Sequence, residues 1–262
     1  MIRKSLLLSA MVSLLVSARA DAITYGQPDG NGHPNVGAIV AEYIRPGVKD
    51  LFCSGTLIAP TVFLTAAHCT AFLEANGLAA YVTFDGEYTA HSKIYAGTMF
   101  TNPNYSFNQN DPGDIAVIVL SRPVKGIAPA SLPTAGLLDQ LAAAGLLHNQ
   151  QFTAVGYGVH EPTTGGGPPT FPFDNLRWTS VSLFNALNPA WLRLNQSGPA
   201  GNGGTCFGDS GGPNFLGAGA GETSIVAALT VTGDAMCLAT NVDYRLDTPA
   251  ARAFLGRFVT LP

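Results

Sequence analysis

The chain has 262 residues, 13 Lys and Arg against 17 Asp and Glu, and a charged fraction of only 11%. That length buries a core without metals or dense cross-linking. Mild acidity with no basic patch excludes a nucleic-acid or anionic-membrane surface.

In chain order, Met1 to Lys4 supplies positive charge, Leu6 to Val16 is an apolar run broken only by Ser9 and Ser13, and Ala18-Arg19-Ala20 and Ala20-Asp21-Ala22 both present small residues where signal peptidase reads. The pattern predicts a signal peptide over residues 1–22, with cleavage after Ala20 as the alternative, and a secreted domain over residues 23–262. The apolar run is too short to span a bilayer, and no later segment has the length and apolarity of a membrane helix. Removal of the leader takes Arg3, Lys4 and Arg19 with it and leaves a more acidic product.

Short β-branched runs separated by Gly, Pro and Asn follow. Strands are predicted at Val36–Glu42, ended by Arg45-Pro46-Gly47, then Phe52–Ala59 and Val62–Thr65 on either side of Pro60, Leu78–Phe84 and Ser92–Ala96. Ile115–Leu120 is an almost continuous apolar strand, and Gln151–Tyr157, Leu176–Leu183, Asn214–Leu216, Ser224–Thr232 and Asp243–Leu246 complete the set. Glu161–Phe171 reads as a loop. Ala135–Leu147 reads as a surface helix or an irregular loop, and a helix is expected over Ala250–Phe258, where Thr248 offers a hydroxyl cap and Pro249 suits the first turn. Many short strands with turn residues between them favour an all-β barrel or sandwich.

Four cysteines, Cys53, Cys69, Cys206 and Cys237, follow the signal peptide. Two disulfides are expected, with three pairings open by arithmetic and local pairing the economical one. The spacing contains no tight CxxC pair of the kind that holds structural zinc.

Three short segments carry chemistry. In Gly208-Asp209-Ser210-Gly211-Gly212-Pro213, glycines flank a hydroxyl and allow close backbone approach to a substrate. The same letters also build a plain glycine-rich turn. His68, in Thr65-Ala66-Ala67-His68-Cys69 directly after an apolar strand, offers a base near neutral pH. Asp114, at the lip of the Ile115–Leu120 strand, is either a turn residue or a buried partner for an imidazole.

Taken together, and in the order His, Asp, Ser, these motifs resemble those of the trypsin/chymotrypsin family of serine peptidases. The likeness runs from about Ile23 to Phe258. It implies two six-stranded antiparallel β-barrels with a C-terminal helix and a site in the cleft between them. It further implies Ser210 as nucleophile, His68 as general base and Asp114 as its orienting carboxylate. The N–H groups of Gly208 and Ser210 would form the oxyanion hole. Cys53 would pair with Cys69 beside the histidine, and Cys206 with Cys237 at the edge of the specificity pocket. A secreted monomer acting on polypeptides is implied, with no organic cofactor, metal, nucleic acid or membrane partner.

Departures from the family pattern bear on specificity. Ser54 stands where a Gly is usual. Enzymes that cut after Lys or Arg carry a carboxylate six residues before the nucleophile, and that position is Gly204, followed by Thr205. An unpaired buried ammonium is costly, so a non-basic preference is expected unless Asp234 or Asp243 reaches the pocket. Thr230-Val231-Thr232 takes the approximate place of a Ser-Trp-Gly stretch, which would lose both the Trp and the Gly. The resemblance also implies that a freed Ile23 ammonium pairs with Asp209, in the segment Ile23-Thr24-Tyr25-Gly26. Because Ala22 precedes Ile23, export alone is expected to free it.

Overall fold

The computed structural model describes residues 23–108, 110–163 and 168–262, so the expected signal peptide and part of the loop at Glu161–Phe171 lie outside the described residues. Within them, two closed antiparallel barrels of six strands each stand side by side. The first contains β2 (Val36–Arg45), β3 (Val48–Ala59), β4 (Val62–Thr65), β5 (Tyr81–Thr83), β6 (Ile94–Thr101) and β7 (Ala116–Leu120), in the order β2-β3-β4-β7-β6-β5. The second contains β8 (Gln151–Gly156), β9 (Trp178–Leu187), β10 (Trp191–Asn195), β11 (Pro213–Leu216), β12 (Val226–Gly233) and β13 (Thr240–Arg245), closed by pairing of β8 with β9. β1 (Gln27–Pro28) adds to β9 at Thr179 and Trp178.

The run Ala-Val-Ile-Val-Leu of β7 is hydrogen-bonded to β4 along one edge and β6 along the other, and all of it but half-buried Val119 is buried, which is why both faces are apolar. Phe63 fills the centre of the first barrel, and a Cβ at Gly55 would overlap its ring and the Leu64 carbonyl. Glycine there lets β3 cross the core aromatic. Arg45-Pro46-Gly47 proves to be the tip of a hairpin: Arg45 pairs with Val48 around Gly47 at φ +81°, so both strands run further than expected.

Each helix is pinned by a side chain. α3 (Pro249–Leu255) starts where Thr248 Oγ1 accepts from Ala251 N, and Ala251, Phe254 and Leu255 face the core. Burying those two large side chains contributes about 1.5–3 kcal/mol each. α2 (Leu137–Ala143) is shorter than the Ala135–Leu147 segment, and its N-terminal donor Leu138 N is taken by buried Asp247.

Candidate active site

His68 enters from the first barrel at a strand-to-helix corner. β4 ends at Thr65, Ala66 is extended (φ −85°, ψ 145°), and α1 (Ala67–Ala75) begins, with His68 in its first turn. No local side chain caps α1. Asp114 does so from 46 residues away: its Oδ1 accepts from His68 N at 2.9 Å, and its Oδ2 accepts from His68 Nδ1–H at 2.9 Å. One carboxylate therefore satisfies an orphan helix donor and fixes the ring. Asp114 is fully buried while the imidazole is a quarter exposed. With Nδ1 donating to a carboxylate, Nε2 keeps the lone pair on the open side.

The loop presenting Asp114 is itself held in place. Gly113 sits at φ +61°, its N–H bonds Asp111 Oδ1, and Asn102 Nδ2 donates to its carbonyl. Tyr244 reaches across from β13 of the second barrel and donates its hydroxyl to Asp111 Oδ1 at 2.8 Å.

Ser210 comes from the second barrel, and its turn is packed against the histidine corner. Ser54 N donates to Ser210 O at 2.9 Å, and Cys69 Sγ lies 3.9 Å from the same oxygen. Gly211, at φ +81°, could carry no side chain, since a Cβ would overlap Thr65 Oγ1 and stand 2.7 Å from Ala66 N. Gly208 is at φ +97°. Val159 N donates to Phe207 O at 2.8 Å, which turns the planar Phe207–Gly208 peptide so that the Gly208 N–H points the opposite way. Ser54, the residue in the usual place of a Gly, supplies a further brace. Its hydroxyl donates to Gly208 O at 3.0 Å and accepts from Tyr157 N at 3.0 Å.

Both disulfides form as local pairs, Cys53 with Cys69 and Cys206 with Cys237. Cys53, His68 and Cys69 lie close together, but the two sulfurs are bonded to each other and present no thiolate to a metal.

A cavity of 300 Å³ opens beside Ser210, between Thr205–Phe207 and the β12 wall at Thr230–Gly233, with the Cys206–Cys237 bridge at its edge. Thr205, Thr230 and Thr232 line it. Gly233 lines it too, so a glycine does stand in this wall, one residue beyond the stretch compared in the sequence. Gly204 does not reach the cavity. Gln196, fully buried, fills the space a side chain there would need, and its Oε1 accepts from Thr205 N at 2.9 Å.

Neither remaining acid presents an uncommitted carboxylate to the pocket. Asp234 lines it, but its carboxylate accepts backbone N–H groups from Met236, Leu238, Ala239 and Thr240. Burial works against that ionised form, and these four bonds outweigh it, holding the carboxyl below its usual range. Asp243 is fully buried in a polar chain, accepting from Asn214 Nδ2 at 2.8 Å, and burial pushes its carboxyl well up, towards the neutral form. The chain continues through Asn241 to the Thr205 hydroxyl.

Asp209 is also fully buried, with Oδ1 accepting from Gly158 N and Oδ2 from Cys206 N at 2.8 Å each. Among the described residues no cationic side chain pairs with it. Burial pushes its carboxyl up to about 7 against those two hydrogen bonds. Ile23 is buried against Trp178, and Thr24 O accepts from Gly204 N at 3.1 Å, so the N-terminal segment docks on the loop leading to Asp209.

Comparison with known proteins agrees with this architecture. Brachyurin of Leptuca pugilator is 34% identical over 212 residues, 75% of this chain and 85% of that protein. A trypsin of Phaedon cochleariae is 31% identical over 178 residues, 63% of this chain and 64% of the relative. Glucanase inhibitor protein 3 of Phytophthora sojae (strain P6497) is 29% identical over 174 residues, 63% of this chain. The chain spans 61% of the length of that inhibitor and 64% of that trypsin. The family model described as Trypsin matches residues 31–245, most of the chain, and the protein belongs to the trypsin family.

Proposed function

We propose that the chain is a secreted, monomeric serine endopeptidase that cuts polypeptides through an acyl-enzyme on Ser210. The observation that carries this reading is the pair of hydrogen bonds from His68 to Asp114, beside a Ser210 turn held by Ser54 N and next to Cys69, the neighbour of His68. In this mechanism Ser210 Oγ attacks the scissile carbonyl as His68 Nε2 takes its proton. The carbonyl oxygen becomes negative and is met by the N–H groups of Gly208 and Ser210. Buried Asp114 stabilises the imidazolium, which then protonates the departing amine. Water repeats the sequence in reverse roles and frees the acid product. No organic cofactor, metal, nucleic acid or membrane enters this reading.

Primary specificity is proposed to be non-basic. The support is a pocket with no side chain at Gly204, an Asp234 carboxylate spent on four backbone donors, and an Asp243 carboxyl behind the pocket wall that burial drives towards neutrality. Activation is proposed to follow export, by insertion of the Ile23 ammonium towards Asp209. An acid with no cationic partner among the described residues, beside a docked N-terminal segment, supports this. N-terminal sequencing of active secreted protein should begin at Ile23. Full activity with Asp21 still attached rejects the pairing.

A fluorophosphonate probe tests the central claim. Labelling of the parental protein and none of Ser210→Ala is the expected result. A folded parental protein that takes no label is instead a binding member of the family, the kind of role named for the Phytophthora sojae relative.

A further inference from the structure

The sequence holds two tripeptides of the form Asn-x-Ser, Asn104-Tyr105-Ser106 and Asn195-Gln196-Ser197. In an exported chain this pattern is the acceptor signal for N-linked glycosylation, and a usable copy lies on a surface loop. The fold separates the two.

Asn195 is half-buried at the end of β10, an interior strand of the second barrel, and pairs with Leu183 of β9 and Thr240 of β13. Its Oδ1 accepts from Ser197 N at 2.9 Å, and Gln196 between them is fully buried. A sugar joined to that amide before folding would stand against closure of the sheet.

Asn104 is exposed, on a turn between β6 and β7. Tyr105 N donates to Asn102 O at 2.9 Å and Asn104 N to Asn102 Oδ1 at 3.1 Å, so backbone groups and the Asn102 side chain close the turn. Ser106 N donates to Pro112 O at 2.8 Å, which fixes the serine on the same loop. A cavity of 660 Å³ opens beside Asn104, Tyr105 and Ser106 and is bounded in part by Ala250 and Ala253 of α3. The Tyr105 ring meets that of Phe107 edge to face at 5.2 Å, and Phe107 is 62% exposed. Open space and an aromatic surface for the C–H face of a first sugar therefore lie next to this acceptor.

We propose that Asn104 carries an N-linked glycan and that Asn195 does not. Asn104 Nδ2 attacks the anomeric carbon of a lipid-linked oligosaccharide diphosphate. The C–N bond forms as the C–O bond to the diphosphate breaks; the lipid diphosphate leaves with the electron pair, and the amide gives up one proton to the transferase. The Ser106 hydroxyl is the feature that the transferase reads. The inference rests on the export reading and is independent of the catalytic one.

The test takes the protein secreted by its own organism and measures intact mass and a peptide map before and after treatment with peptide N-glycosidase. We expect the mass of the mature chain plus one oligosaccharide, with residue 104 converted to the acid on release. Asn104→Gln and Ser106→Ala should each abolish the added mass. Ser106→Thr should keep it, and Asn195→Gln should leave it unchanged. A secreted, leader-free chain of bare mass overturns this proposal alone, as does a sugar mapped to Asn195. A chain held in the cell with its leader attached defeats the export reading beneath it.

Discussion

Arg177 Nε donates to Asp29 Oδ2 across 2.7 Å, with both side chains only 1% exposed. The rest of the guanidinium is also committed: Nη1 donates to Val36 O, Phe84 O and the Tyr157 hydroxyl, and Nη2 to Gly30 O. One side chain just ahead of β9 thus ties the N-terminal segment and the first barrel to the second. Arg177→Met should cost about 3–5 kcal/mol, because Asp29 and three backbone acceptors lose a donor together. Urea unfolding of the purified mature protein measures this. A loss under about 1 kcal/mol would mean that water replaces the guanidinium.

His33 adds a pH dependence to the same cluster. Its Nδ1 contacts Asp29, its Nε2 stands 2.7 Å from Glu222 Oε1, and its ring stacks on Phe215. A neutral imidazole has one N–H and can serve only one of the two carboxylates. Burial opposes protonation, but the hydrogen bonds and charges of Asp29 and Glu222 prevail and raise the pKa above 6.5. A pKa raised on folding means stability that is complete below the unfolded value and lost as pH rises through the folded one. Unfolding free energy should therefore fall as pH rises above the ordinary imidazole range. His33→Gln should flatten that slope. An equal slope in both proteins would remove His33 as its source.

Ser54 is the third residue to test. Ser54→Ala leaves Tyr157 N–H and Gly208 O without their shared partner. The expected cost is about 1–3 kcal/mol of stability. Turnover should fall by about tenfold, ~1.4 kcal/mol in the barrier, with KM changed far less, because the brace acts on the turn proposed to stabilise the transition state. Steady-state kinetics on a small ester decide it, and unchanged kcat would confine the hydroxyl to a structural role.

At the pocket, parental enzyme should favour Phe, Leu or Met on the acyl side over Arg or Lys. Gly204→Asp alone should not reverse this, since a Cβ there overlaps Gln196. It should instead destabilise the protein by about 1–3 kcal/mol through overpacking. Combining G204D with Q196G clears the volume and should raise the Arg-to-Phe ratio of kcat/KM by at least about tenfold, ~1.4 kcal/mol. A reversal by G204D alone would show that Gln196 moves aside readily.

Much of this was legible in the sequence because its causes are local. Ile115–Leu120 and Val62–Thr65 show as strands through continuous apolarity, and Thr248-Pro249 shows its helix through a cap and a first-turn proline. Features held from a distance were not legible. α1 has no capping residue of its own because Asp114 caps it, so His68 reads as following a strand rather than lying in a helix. β10, Trp191–Asn195, has only a five-residue pattern, and its place is set by pairing with β9 and β13. The departure at Ser54 was visible, but its two partners lie 103 and 154 residues away. Gln196 carries no motif, and its role follows only from the glycine it packs on.

The Tyr244–Asp111 bond gives the site an order of assembly. A chain emerging from its N-terminus contains His68 and Asp114 long before it contains Tyr244. Until the last strand of the second barrel closes, the loop carrying Asp114 lacks its tether and the Ser210 turn lacks the β12 carbonyl of Thr230 that receives Gly211 N. A first barrel alone would therefore carry His68 and Asp114 without Ser210, without the tether on the Asp114 loop and without the carbonyl that holds the Ser210 turn.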